Sequence, residues 1–224
     1  MLPILRDAAL RAAPQDEVVC ETAYEMRVLV ALRRYFTLSE DWAEIDSAKV
    51  KGEEQVSANM RLAASCLCGG VEIEATGAPI VSSVCYCTDC QLGSRQIEDL
   101  PNAGSVRDAD GGTAYILFRK DRIKCSRGAE LLKGYKLKDI SPTNRVVATC
   151  CNSAMFMNFD KGPHWISAYR ARFRGALPPL QMRICTKSKP ENVVLPTDVP
   201  SYPGYPVGLI FKLLVSRVAM LIGR

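Results

Sequence analysis

Residues 66–90 constrain this chain more than any other stretch. Cys66-Leu67-Cys68-Gly69-Gly70 is followed by Cys85-Tyr86-Cys87-Thr88-Asp89-Cys90, so five of the ten cysteines fall here. Thiolates spaced by one and two residues can converge on a single ion from a tight turn, and soft sulfur donors select zinc or an iron–sulfur cluster over hard cations. The vicinal pair Cys150-Cys151, far downstream, is the natural candidate to complete such a site. Only a folded sheet brings segments so far apart in sequence together.

Ten cysteines would also suit a disulfide framework, but that reading needs an oxidising compartment. The first residues, Met1-Leu2-Pro3-Ile4-Leu5-Arg6-Asp7, carry no basic leader, and Asp7 breaks their apolar run, which does not read as a signal peptide. No stretch reaches the roughly 18 uninterrupted apolar residues of a membrane span. The nearest, Val207 to Ile222, contains Lys212 and Arg217. The expectation is a soluble, cytoplasmic protein with reduced thiols, in which metal ligation explains the clustered cysteines.

A chain of 224 residues with 48% hydrophobic content can bury a core of its own. Its net charge of +5 is unevenly placed. Residues 161–224 hold ten Lys or Arg against two Asp or Glu, a balance of +8, which leaves −3 for residues 1–160. A basic C-terminal region attracts an anionic small molecule, a nucleic acid backbone or a membrane surface, or simply solvates one face; charge alone does not choose among these.

The pattern divides the chain into three regions. Residues 1–59 read as a helical N-terminal extension and linker, with an amphipathic helix over 17–36, a second start at Thr37 followed by Glu40, and a polar connection over 46–59. Residues 60–185 shorten to strand length. Val71 to Ala75 alternates with period two, and further candidates are Pro79–Val84, Thr113–Phe118, Arg122–Cys125, Arg145–Thr149, Ala154–Phe159, Trp165–Arg172 and Leu180–Cys185. Turns such as Asp110-Gly111-Gly112 and Lys161-Gly162-Pro163 separate them, which indicates a mainly antiparallel β domain. Residues 186–224 form a proline-punctuated loop and a C-terminal amphipathic helix from Val207 to Ile222, expected to pack on the body of the protein.

Within this frame two sets of thiols are candidate metal ligands. Cys66 and Cys68 precede two glycines, which open backbone conformations closed to other residues and free the amides to approach sulfur. In a strand Cys150 and Cys151 would point to opposite faces, so both reach one ion only if the backbone turns there. The second set, Cys85, Cys87 and Cys90, supplies three thiolates within six residues and no fourth ligand nearby. A structural zinc site is closed by four ligands, whereas a reactive one keeps a position open. Three sulfurs with an open position suit a substrate thiolate; a fourth cysteine from elsewhere would make the site purely structural.

The order of motifs, CLCGG at 66, CYCTDCQ at 85 and RVVATCCNSAMF from Arg145, resembles the glutathione-dependent formaldehyde-activating enzyme family, which also contains the centromere protein V group. The run GGTAYILFRKDRIKCSRGAELLKGYKL looks like an uncharacterised branch of that family, and the resemblance spans about residues 60–172. It implies a β-tent fold with two zinc sites. Cys66 and Cys68 with the downstream cysteines would hold a structural zinc, and Cys85, Cys87 and Cys90 the zinc associated with activity. The implied activity is a carbon–sulfur lyase reaction on a glutathione-type thiol adduct. Two positions depart from the pattern. Tyr86 stands where the family has His, and Ala148 replaces the first cysteine of the downstream Cys-x-x-Cys, so either Cys150 substitutes or that site has three sulfurs. The alternative is a non-catalytic zinc module for a protein or nucleic-acid partner.

Outside the clusters, His164 is the only histidine and reads as a packing residue. Cys20, Cys125 and Cys185 read as small buried hydrophobes. Asp89 is a helix-start or solvated carboxylate. Arg145, with Arg170, Arg172 and Arg174 at alternating spacing on one strand face, could pair with the carboxylates of a glutathione-like anion.

Overall fold

The computed structural model describes residues 60–223. The expected N-terminal helices and Cys20 lie outside the described residues. Ten strands, two α-helices and several short 3-10 turns make up the rest. The strands are β1 (Arg61–Ser65), β2 (Glu72–Thr76), β3 (Val81–Cys85), β4 (Thr113–Arg119), β5 (Ile123–Arg127), β6 (Leu132–Tyr135), β7 (Thr143–Ala148), β8 (Ser153–Phe159), β9 (Trp165–Tyr169) and β10 (Met182–Ile184). The helices are α1 (Thr88–Glu98) and α2 (Val207–Leu221).

The strands form a three-stranded sheet, β1-β2-β5, and a seven-stranded sheet, β10-β3-β4-β9-β8-β7-β6. The mainly β expectation holds, with one difference: β10 pairs β3 in parallel, Ile184 opposite Cys85, while every other named pair is antiparallel. A parallel return requires a long connection. It is this pairing that carries residue 185 to the end of β3.

β4 shows why its sequence lacks polar alternation. Tyr115 and Leu117 join one buried cluster with Val81, Cys85, Cys90 and Ile97, while Ile116 and Phe118 join another with Cys66, Val71, Ile73 and Met155. Successive residues of a strand face opposite ways, so the strand is covered on both faces and its run from Ala114 to Phe118 is apolar throughout. The two cores carry the two cysteine sets, Cys66 in one and Cys85 with Cys90 in the other.

Two strands, β1 and β6, were not separated by the sequence pattern, and one ran too far. β9 ends at Tyr169, and Arg170–Arg172 form a 3-10 turn. Arg170, Arg172 and Arg174 therefore do not share a strand face. Arg170 donates to the Ser82 hydroxyl and the Pro178 carbonyl, and Arg183, buried, pairs with Asp198 at 2.6 Å, so part of the C-terminal basic excess is used internally. α2 matches its expected span and buries Leu209, Leu213 and Ser216, while Val207, Phe211, Val215 and Val218 stay exposed. No helix among the described residues is long and apolar enough to cross a membrane. His164 is buried and its Nε2 lies 3.1 Å from the Ser216 hydroxyl, tying the start of β9 to α2 as a packing residue.

Candidate metal centres

The first centre gathers Cys66, Cys68, Cys150 and Cys151, whose sulfurs all lie within 4.8 Å of one another. Cys66 directly follows β1 and Gly69 takes a left-handed conformation, so the chain doubles back and the Val71 amide donates to the Cys66 sulfur at 3.2 Å. Gly70 lies against the sulfurs: a Cβ there would be 3.2 Å from the Cys150 sulfur and 3.5 Å from that of Cys68. Strand geometry would send Cys150 and Cys151 apart, but β7 stops at Ala148 and β8 begins at Ser153. The connection turns through Asn152 at φ 54°, and both sulfurs reach the cluster. The backbone turns where the strand was expected to continue, which is the condition under which both thiols can face one ion.

The separations fit a tetrahedral soft-ion site. Cys66 to Cys68 is 3.6 Å, Cys66 to Cys150 3.8 Å, Cys68 to Cys150 3.3 Å and Cys150 to Cys151 3.9 Å. A metal–sulfur bond of about 2.3 Å in a tetrahedron implies sulfur pairs about 3.8 Å apart, whereas a disulfide needs about 2.05 Å. Without an ion the proton distribution is uneven. Burial and hydrogen bonds to Cys68 and Cys66 push the Cys150 thiol up to about 12. Burial also opposes ionisation of Cys151, but hydrogen bonds from the Ser153 hydroxyl and the Cys68 and Ser153 amides hold it at about 6. An ion bound here would displace the remaining protons.

The second centre gathers Cys85, Cys87 and Cys90, again with all sulfurs within 4.8 Å. Cys85 is the last residue of β3, Cys87 is the N-cap of α1, and Cys90 lies in its first turn. The Cys87 sulfur accepts the Cys90 amide at 3.3 Å. Exposed amides and the helix dipole favour negative charge at this end. Hydrogen bonds from Cys85 and Cys87 outweigh burial, and with the Tyr115 hydroxyl and the nearby Arg145 charge they hold the Cys90 thiol well below its ordinary range. Tyr115 donates to the Cys90 sulfur at 3.6 Å. Cys87 is half-buried beside exposed Thr88 and Asp89, which gives solvent a way in.

Arg145 is not available to a substrate carboxylate. It is buried beneath α1, its Nη2 donates to the Asp89 carbonyl at 2.7 Å, and its Nε has no hydrogen-bond partner among the described residues. Its place is held by Gly93, where a Cβ would come within 1.9 Å of the Arg145 Nε. Tyr86 also turns away from the thiols. It is fully buried and its hydroxyl donates to Asp110 at 2.6 Å, so at the family's histidine position this chain carries a packing residue. Arg172, in the 170–174 group, lies within electrostatic reach of the first centre through Cys151 and Cys66. Asp89 is exposed and contributes to the first turn of α1.

Cys185 is the residue that sequence reasoning missed. Expected as an isolated core residue, it follows Ile184, which pairs with Cys85, and its thiol is held below its ordinary range chiefly by the neighbouring Cys85 thiol, with the Tyr205 hydroxyl acting in the same direction. Its φ of 56° is left-handed, uncommon outside glycine and asparagine. The only local signal was that the strand candidate Leu180–Cys185 ended on a cysteine. Cys125, by contrast, stays outside both centres, its thiol donating to the Glu72 and Arg127 carbonyls.

A family model described as glutathione-dependent formaldehyde-activating enzyme matches residues 61–99, which include Cys66, Cys68, Cys85, Cys87 and Cys90. No curated protein matches the chain. A crystal structure of a Rhodobacter sphaeroides protein shares 17% identity with it over 62% of this chain and 98% of that one, at a TM-score of 0.39. The cysteine spacing, the turn at Gly69 and Gly70 and the thiol-capped helix all fall in the stretch, residues 61–99, that is similar to the glutathione-dependent formaldehyde-activating enzyme family.

Proposed function

We propose that this chain is a zinc-dependent enzyme acting on a glutathione-type thiol adduct, in the manner of a carbon–sulfur lyase. The observation that carries the reading is the convergence of Cys85, Cys87 and Cys90 at the N-terminus of α1, with access from solvent beside Cys87. Cys66, Cys68, Cys150 and Cys151 would hold a structural zinc and so would pin the β1–β2 turn to the β7–β8 turn. Zinc at the second centre would supply Lewis acidity and would lower the pKa of a thiol offered to it.

The chain's own residues supply the rest. The α1 amides and buried Arg145 offset the negative charge that three thiolates accumulate. Tyr115 directs a hydroxyl at Cys90 and fixes its sulfur. Free thiols in two clusters suit a reducing compartment, and we place the protein in the cytoplasm on that ground. The test is metal analysis of protein purified without chelators, followed by a formaldehyde and glutathione condensation assay. Two zinc ions per chain and turnover lost in Cys90→Ser support the reading; fewer than one zinc per chain refutes it.

Cys185 favours a second reading. A fourth thiol beside Cys85 is what a closed, purely structural site needs, and two closed sites would make the chain a zinc module for a protein or nucleic-acid partner. Absence of thiol-dependent turnover, together with salt-dependent RNA or DNA affinity, would favour it.

A further inference from the structure

The second centre has more sulfur around it than its motif supplies. β10 runs parallel to β3 with Ile184 opposite Cys85, and the Tyr86 amide donates to the Ile184 carbonyl at 3.1 Å. The next residue, Cys185, would by strand alternation leave this alignment. Instead it turns left-handed, φ 56° and ψ 34°, and its thiol meets that of Cys85. The turn is secured on both sides: the Cys185 amide donates to Gly204 at 3.3 Å, the Thr186 amide to Tyr202 at 3.0 Å, and the Ser188 amide to Cys185 at 3.2 Å. A left-handed non-glycine residue held by so many contacts marks a place where the fold imposes a side-chain direction.

We propose that Cys185 is the fourth sulfur ligand of the second centre, occupying at rest the position that an incoming thiol must take. The inference rests on the zinc reading above and goes beyond it, because the position left open by Cys85, Cys87 and Cys90 is filled from a separate part of the chain.

Its placement also makes it the ligand that yields. The set of sulfurs within 4.8 Å of one another comprises Cys85, Cys87 and Cys90, so Cys185 stands at the margin of the cluster. Those three lie on one continuous strand-to-helix segment, whereas Cys185 follows a three-residue edge strand. The Tyr205 hydroxyl, on a half-exposed ring, acts on the Cys185 thiol in the direction that favours its anion and would stabilise that sulfur when it is displaced. The exchange balances: the incoming thiol takes the vacated position and passes its proton to the departing Cys185 sulfur. The ligand class is a small thiol such as glutathione, and Cys185 competes with it.

The test is zinc-edge X-ray absorption on the full chain carrying two zinc ions, comparing wild type with Cys185→Ser and with Cys185→Gly, which suits the left-handed backbone; Cys125→Ser is the control. A closed pair of sites gives about 4 sulfurs per zinc in wild type and about 3.5 in both Cys185 variants, with the control unchanged. Added glutathione should then restore about 4 sulfurs in the variants and bind them roughly tenfold more tightly than wild type, a factor equal to about 1.4 kcal/mol. A wild-type value of about 3.5 that Cys185→Gly leaves unchanged overturns the proposal while leaving the three-thiolate reading standing. Only one zinc per chain, unaffected by Cys90→Ser, overturns both.

Discussion

The Cys87 sulfur accepts the amide hydrogen of Cys90 at 3.3 Å, so one atom caps α1 and also belongs to the second metal centre. The two roles separate by substitution. Serine keeps a capping oxygen but is a poor soft-metal donor, whereas alanine removes both. Cys87→Ser should lose the second zinc and keep the helix. Cys87→Ala should lose the zinc and about a further 1 kcal/mol of stability. Urea unfolding of the two metal-free variants, with metal analysis of each as purified, checks the difference; equal stability would show that the cap contributes nothing.

Gly93 and Arg145 make a second testable pair. Alanine in a helix interior ordinarily gains about 1 kcal/mol over glycine. Here its Cβ would meet the Arg145 Nε at 1.9 Å and displace a buried guanidinium. Gly93→Ala should therefore destabilise the protein by about 1–3 kcal/mol despite the better propensity. The clash predicts strong coupling: adding Arg145→Met to Gly93→Ala should cost less than the sum of the single changes, measured by a double-mutant unfolding cycle.

Gly70 should matter to the first centre alone. A Cβ 3.2 Å from the Cys150 sulfur forces the Cys66–Cys68 turn away from the β7–β8 turn. Gly70→Ala should lower zinc affinity at this centre by about tenfold or more and leave the second unchanged. Chelator competition resolves the two affinities, and an equal loss at both would contradict the separation of the sites into two cores.

Glu98 governs an acid-side loss of stability. Its carboxylate accepts from the Val106 and Arg107 amides at 2.8 and 2.7 Å and pairs with the Arg107 guanidinium at 2.6 Å. Burial acts against the charge, but these bonds prevail and hold its pKa below the ordinary carboxylate value. With the folded pKa depressed, the stabilisation is present in full above the unfolded value of about 4.3 and is lost as pH falls through the folded one. Glu98→Gln should cost about 1–2 kcal/mol at neutral pH and flatten the dependence between pH 5 and 3. Urea midpoints across that range check it; an unchanged slope would assign the acid loss to other groups.

How far the sequence carries depends on the separation of the interacting residues. Cys85, Cys87 and Cys90 were legible because a strand end, a helix cap and the first helical turn fall within six residues, and local backbone geometry brings their sulfurs together. The apolar run of β4 was legible as a strand for the same reason. β6, four residues that are mostly exposed, carries no apolar pattern and exists because β7 offers it a hydrogen-bonding edge. The 170–174 arginines kept strand spacing in the sequence while the backbone coiled into a 3-10 turn, since spacing does not record where a strand stops.

By itself the sequence determined that thiols would cluster, where most of the strands would lie, and that a helix would begin at the second cysteine motif. These follow from short-range geometry and from the chemistry of sulfur. Tertiary structure alone decided that Cys150 and Cys151 turn together onto Cys66 and Cys68, that Arg145 lies buried under α1, and that Tyr86 faces Asp110. It also decided that Cys185 returns beside Cys85. That last placement depends on a parallel pairing between strands about one hundred residues apart in sequence, and on a left-handed turn that surrounding hydrogen bonds hold in place. No local pattern encodes either, because the contacts that stabilise them exist only once the sheet has formed.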